Sequence, residues 1–134
     1  MHEADFESMA VLTKKNKGVL VTGDDILVTN AGMVRKAVDY GACSGAILKV
    51  NQAGSLHDAL EFAKECRKNG IGIITSHRSG ESVDSHIAHI AVATGSKMIK
   101  TGVLGGERIA KLNELVRMTE HNLIEGMAEV TSTI

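Results

Sequence analysis

Four short, almost uninterrupted apolar runs, at residues 19–22, 46–50, 71–75 and 98–101, leave this chain few folds to choose from. Each is led by a glycine or another small residue, and helical stretches separate them. A strand that is apolar along its whole length must be covered on both faces, the condition met inside a parallel sheet flanked by helices. Strands alternating with helices at crossover spacing predict an α/β fold with a parallel sheet and right-handed connections.

The clearest helix is predicted over residues 55–69: Ser55 caps it, Leu56, Ala59, Leu60, Ala63 and Cys66 share a face, and Gly70 stops it. A second, over 82–94, turns Val83, Ile87, Ile90 and Ala91 inward and is followed by Gly95. The longest, over 107–124, is expected to bury Ile109, Leu112, Val116 and Leu123. Weaker patterns place helices at 33–40, ahead of Gly41, and at about 5–15. The order is α(βα)4, and a chain of 134 residues is expected to form one domain over residues 1–134. With Phe6, Tyr40 and Phe62 as its aromatic residues, that domain has to build an aliphatic core.

A net charge of -1 and three scattered aromatics provide neither a basic field for phosphates nor a stacking platform, so nucleic acid is not an expected partner. The acidic opening lacks the order of a secretory signal and no run approaches the ~18 apolar residues of a membrane span, so a cytoplasmic protein with no membrane partner is expected. Cys43 and Cys66 form no metal-type pair and read as buried free thiols.

One ionisable residue stands at or just beyond each apolar run: Asp24, Lys49, His77 and Lys100, at intervals of 25, 28 and 23 residues. Each interval is one βα unit, and in parallel α/β architectures the carboxyl ends of the strands share one edge, where sites form. Lys49 taken alone is also explained by a lysine snorkelling out of a strand end. The four together favour a site, in which desolvation of the lysine would suit a proton-abstracting base. Residues 76–81, Ser-His-Arg-Ser-Gly-Glu, join hydroxyls, a guanidinium and a helix N-terminus in one turn, an anion site or else a capped loop with a solvated arginine. Asp24 and Asp25 fit either a cation site or a turn. His86 and His89 lack a third ligand and read as an exposed helix face.

These residues lie in motifs that resemble the enolase family along nearly the whole chain: Gly-Asp-Asp-Ile-Leu-Val-Thr-Asn at 23–30, Leu-Lys-Val-Asn-Gln-Ala-Gly at 48–54, residues 76–81, Ile-Lys-Thr-Gly at 99–102, and Arg-Ile-Ala-Lys-Leu-Asn at 108–113. The resemblance implies a partial TIM-type barrel, an α(βα)4 half-barrel with parallel strands, which dimerisation could complete to eight. It implies reversible dehydration of 2-phosphoglycerate to phosphoenolpyruvate, with Lys49 as the base, His77 as a polar substrate contact, and Arg78 and Ser79 on the phosphate. Lys100 would hold the substrate carboxylate and Asp24 would be a magnesium ligand.

The family's other two metal carboxylates and its acid-side glutamate are expected ahead of the stretch resembled by residues 3–7. Magnesium binding is therefore expected to be weak or partner-dependent, and a homodimer or higher oligomer is expected. The alternative is a catalytically silent relative that binds a small phosphorylated or carboxylated metabolite or serves as an assembly subunit. The sequence departs from the family at Val103–Leu104–Gly105–Gly106, where a small residue, a proline and an arginine are usual, and at His89 and Ala31–Gly32.

Overall fold

A computed structural model describes residues 2 and 4–130. Among them, six helices and four strands follow in the order α1 (Phe6–Lys15), β1 (Thr22–Gly23), α2 (Ala31–Tyr40), β2 (Gly45–Leu48), α3 (Val50–Ala53), α4 (Leu56–Lys68), β3 (Gly72–Ser76), α5 (His86–Ala93), β4 (Met98–Lys100) and α6 (Gly106–Glu120). The strands form one sheet in sequence order, every pair parallel, so the α/β expectation holds and the sheet is an open, partial barrel. No helix among the described residues is long and apolar enough to cross a membrane.

Helix starts follow their caps. Asp5 accepts from the Ser8 N–H, Asn30 from those of Gly32 and Met33, and Ser55 from that of Asp58. Gly41, with φ +64, closes α2 in the left-handed conformation that glycine adopts without penalty. At the start of the chain, the Phe6 ring packs 5.6 Å from that of Tyr40 with the Lys36 ammonium 4.5 Å from its centroid, which ties α1 to α2.

Strand register sorts the side chains into two faces. Ala46 pairs with Ile73, and Leu48 with Thr75, and all four are buried. Ala46, Leu48, Ile71 and Ile73 share a core with Val34 and Ala37 of α2 and with Ala59, Phe62, Ala63 and Cys66 of α4. The opposite parity carries Ile47 paired with Ile74, and Ile74 with Met98.

Several boundaries and faces differ from the expectation. The first run delivers only Thr22 to a strand, because Val19 is exposed and the Val21 N–H is taken by the Ser44 hydroxyl. Lys49 and Val50 leave β2, since Lys49 becomes the N-cap of α3, a short helix the apolar run conceals. Helix α5 starts at His86 rather than 82, which leaves Val83 in a loop and 74% exposed. Leu56 and Leu60 are exposed on α4 while Phe62 is buried; α6 buries Lys111 and Met118, leaves Ile109 and Val116 exposed, and ends at Glu120 rather than 124, so that Leu123 lies exposed beyond it. Periodicity reports that a helix has an apolar side, but which side finds a neighbour depends on packing, here that of α6 on α5.

Phe62 is fully buried between α4 and the sheet, so Phe62→Ala is expected to cost about 3–5 kcal/mol in urea unfolding. Leu60→Ala, on the open side of the same helix, should stay within about 0.5 kcal/mol.

Candidate active site

The β1 and β2 ends meet through one side chain. Lys49 turns out of β2 with extended backbone, and its Nζ lies 2.6 Å from Asp24 Oδ1, the two side chains being 14% and 32% exposed. The main chain of Lys49 is held independently: its N–H donates to Thr29 Oγ1 at 3.0 Å, and the Thr29 hydroxyl donates to Gln52 Oε1 at 3.2 Å. Thr29 is buried, and it reaches this position with φ 51, next to Val28 with φ 43. Two successive β-branched residues in the left-handed region are strained, and such strain persists only where surrounding contacts impose it. Gly23 permits the tight return of this turn, since a Cβ there would sit 2.9 Å from Leu27 Cδ1.

At the β3 and β4 ends the His77 N–H donates to the Lys100 carbonyl at 3.0 Å, which carries the ladder one residue past the strand. The Arg108 guanidinium, from α6, puts Nη1 3.3 Å from His77 Nε2 and 3.4 Å from Nδ1. Gly102, at φ +74, makes room for it; a Cβ there would lie 2.9 Å from Arg108 Cδ. Partial burial lowers the His77 pKa, and the positive charges of Arg108, Lys100 and Lys111 add to the effect against the opposing pull of Glu81, so the imidazole favours its neutral form.

Arg78 and Ser79 are exposed on the loop that follows. Glu81 Oε1 accepts the Arg78 N–H at 2.9 Å, and Oε2 lies 2.7 Å from the Lys111 ammonium. Partial burial pushes the Glu81 carboxyl up, and the Lys111 and Arg78 hydrogen bonds more than offset it, leaving the group below its ordinary range.

The structure therefore brings the expected residues to one edge in two groups. Leu48 pairs with Thr75 and Ser76 with Lys100, which sets Lys49 level with Ser76 and Lys100 on the face of Ile47, Ile74 and Met98. Adjacent strands lie ~4.8 Å apart, so Lys49 and Lys100 are separated by about two strand spacings at the backbone. Asp24 and Lys49 touch directly; His77 and Lys100 are neighbours across the β3–β4 ladder.

A single carboxylate already paired with an ammonium is not a magnesium site by itself. Asp25 is exposed, and among the described residues no group of three or more His, Cys, Asp or Glu side chains could hold a metal ion. His89 Nε2 instead pairs with Glu114 at 2.7 Å, and His86 with Asp84. Cys43 and Cys66 are buried free thiols, and burial first, then neighbouring charge, pushes Cys66 up to about 12.

Sequence reading gave no role to Thr29, Gln52, Glu81, Arg108 or Lys111. Lys111 left a trace: it lies seven residues before Met118, on the stripe that α6 turns inward. With Arg108→Ala the His77 midpoint, followed by the imidazole resonances, is expected to rise toward its ordinary value. A histidine that binds its proton less readily when folded withdraws stability as pH falls below that ordinary value, and the variant should lose less stability there than the parent.

Comparison with known proteins gives an independent view of the same chain. The family model for the enolase C-terminal TIM barrel domain matches residues 1–129. Enolase of Archaeoglobus fulgidus is 49% identical over 120 residues, 90% of this chain and 30% of that protein. Enolase of Halobacterium salinarum is 46% identical over 121 residues, 90% of this chain and 30% of that protein. Enolase of Methanosphaera stadtmanae is 47% identical over 131 residues, 97% of this chain and 32% of that protein. The chain thus spans about a third of the length of the curated relatives it matches.

Proposed function

The chain belongs to the enolase family, and from that premise we propose that it carries the proton-abstracting and anion-binding side of a site that dehydrates 2-phosphoglycerate to phosphoenolpyruvate. The observation that carries this reading is the register that sets Lys49 level with Ser76 and Lys100 on one face of the sheet. In its neutral form the Lys49 amine takes the proton beside the substrate carboxylate, and the electron pair moves into the carboxylate as an ene-diolate. Lys100 meets that charge, a cation placed in advance being the most effective stabiliser of charge that develops during reaction. The ammonium formed on Lys49 is received by Asp24, already 2.6 Å away. Arg78 and Ser79 grip the phosphate from their loop, and His77 offers a neutral ring for a polar contact.

Two further parts of such a site are not met by the described residues. The departing hydroxyl needs an acid, and Glu81, the carboxyl on the β3 loop, is committed to Lys111. Magnesium, which the family resemblance implies, is proposed only for an assembly in which additional carboxylates join Asp24. Among the described residues the sheet ends at β1 and β4 with unpaired edges, and unpaired edges seek partners. Closure by twofold symmetry, β1 of each copy beside β4 of the other, would make eight strands and cover Met98, which is exposed beside the already buried Ile47 and Ile74. Light scattering at micromolar concentration should then give twice the 14.2 kDa chain mass; a stable monomer would count against closure.

A second reading, binding without turnover, is favoured by the Lys49–Asp24 contact and by the lack of a metal-binding group among the described residues. Turnover assays decide between them. With magnesium and a polypeptide carrying the remaining barrel of a relative, phosphoenolpyruvate absorbance should appear, and Lys49→Ala should reduce its rate by about 10²–10⁴-fold. No turnover in any combination, with thermal stabilisation by 2-phosphoglycerate that survives chelation and is lost in Arg78→Ala, would replace the first reading by the second.

A further inference from the structure

Helix α6 reaches the strand ends with two cations. Arg108 lies against His77, and one turn later Lys111, only 1% exposed, points beneath the loop that carries Arg78 and Ser79. A buried ammonium is costly unless all three protons find acceptors. Here each of them does: Nζ lies 2.6 Å from the Ser82 carbonyl oxygen, 2.6 Å from that of Glu107, and 2.7 Å from Glu81 Oε2. The other Glu81 oxygen accepts the Arg78 N–H at 2.9 Å. The loop is therefore held at two points, Arg78 through Glu81 and Ser82 through Lys111, both anchored on one buried charge.

Stability alone does not call for a lysine there. Met118, two turns on, fills the same inward stripe with a side chain of similar length and no charge, and apolar replacements of buried ion pairs are often neutral or stabilising. What a methionine would not supply is direction. The hydrogen bond to the Ser82 carbonyl and the ion pair with Glu81 fix where the loop backbone lies, and with it the guanidinium stem of Arg78, while the Glu107 carbonyl one turn back on α6 takes the remaining proton.

We propose that Lys111 is a positioning residue which, through Glu81, presets the Arg78–Ser79 loop to receive the phosphate of the ligand. This deepens the reading given above and rests on it. Lys111 touches no ligand; its effect passes through a carboxylate that is shared between the ammonium and the Arg78 backbone.

Calorimetric titration of the full chain with 2-phosphoglycerate, and with glycerate as the same ligand without its phosphate, tests this. The parent should prefer 2-phosphoglycerate, and Lys111→Met and Glu81→Gln should each weaken that ligand by about tenfold or more while leaving glycerate unchanged, since hydrogen bonds to charged groups carry effects of that order. The double variant should be no weaker than either single one, as expected for residues that act as one unit. Amide exchange at Arg78 should quicken in both variants, with Ile73 and Ile74 of β3 protected as before. Glu81→Gln keeps the side chain's shape and decides the matter if Lys111→Met fails to fold. Variants that bind 2-phosphoglycerate within about twofold of the parent, or that lose both ligands equally, overturn the positioning role while the anion site stands. A parent with no preference for the phosphorylated ligand overturns both.

Discussion

In-register pairing of parallel strands is the constraint from which everything else in this chain follows. Once Gly45 to Leu48 pair with Gly72 to Thr75, and Ile74 to Ser76 with Met98 to Lys100, the residues at or just past each strand end have no freedom in height. Lys49, Ser76 and Lys100 must share a level. The same pairing divides apolar side chains by parity, so that Ala46, Leu48 and Ile73 face the helices while Ile47, Ile74 and Met98 face the other way. Packing and chemistry are thus two readings of one register, and a slip by one residue would exchange core for rim.

Around that rim the chain spends polar contacts on backbone position more than on the reactive groups themselves. The Lys49 N–H is tied to Thr29, the His77 N–H to the Lys100 carbonyl, and the Arg78 N–H to Glu81. Side chains that would meet a ligand, Arg78 and Lys100 among them, remain exposed. An arrangement of fixed main chain with free side-chain ends suits a site whose ligand arrives from solvent and completes the hydrogen bonding.

Much of this was legible in the sequence because it rests on local signals. Apolar runs of four or five residues announced the strands, Ser55 and Gly70 bracketed α4, and the spacing of Asp24, Lys49, His77 and Lys100 followed from one such group per βα unit. Legibility failed where a neighbour decides. Leu60 and Phe62 lie two positions apart on one helix, and only the direction of the sheet tells which is buried. Lys111 looks like a surface lysine until the 78–82 loop is folded over it, and the apolar 46–50 run hides that Lys49 ends a strand and starts a helix. The pairing of Lys49 with Asp24 joins residues 25 apart, a contact that no local pattern encodes.

The bend at Val28 and Thr29 sets two demands against each other. Glycine at the first position or asparagine at the second would suit the left-handed backbone better. Relaxing the bend would also slacken the threonine hydroxyl that aligns the lysine backbone, and replacing the threonine would remove it. Drift toward a sturdier turn therefore erodes the alignment of the one amine on which the proposed chemistry turns, and a lineage without that chemistry should show it first at these two positions.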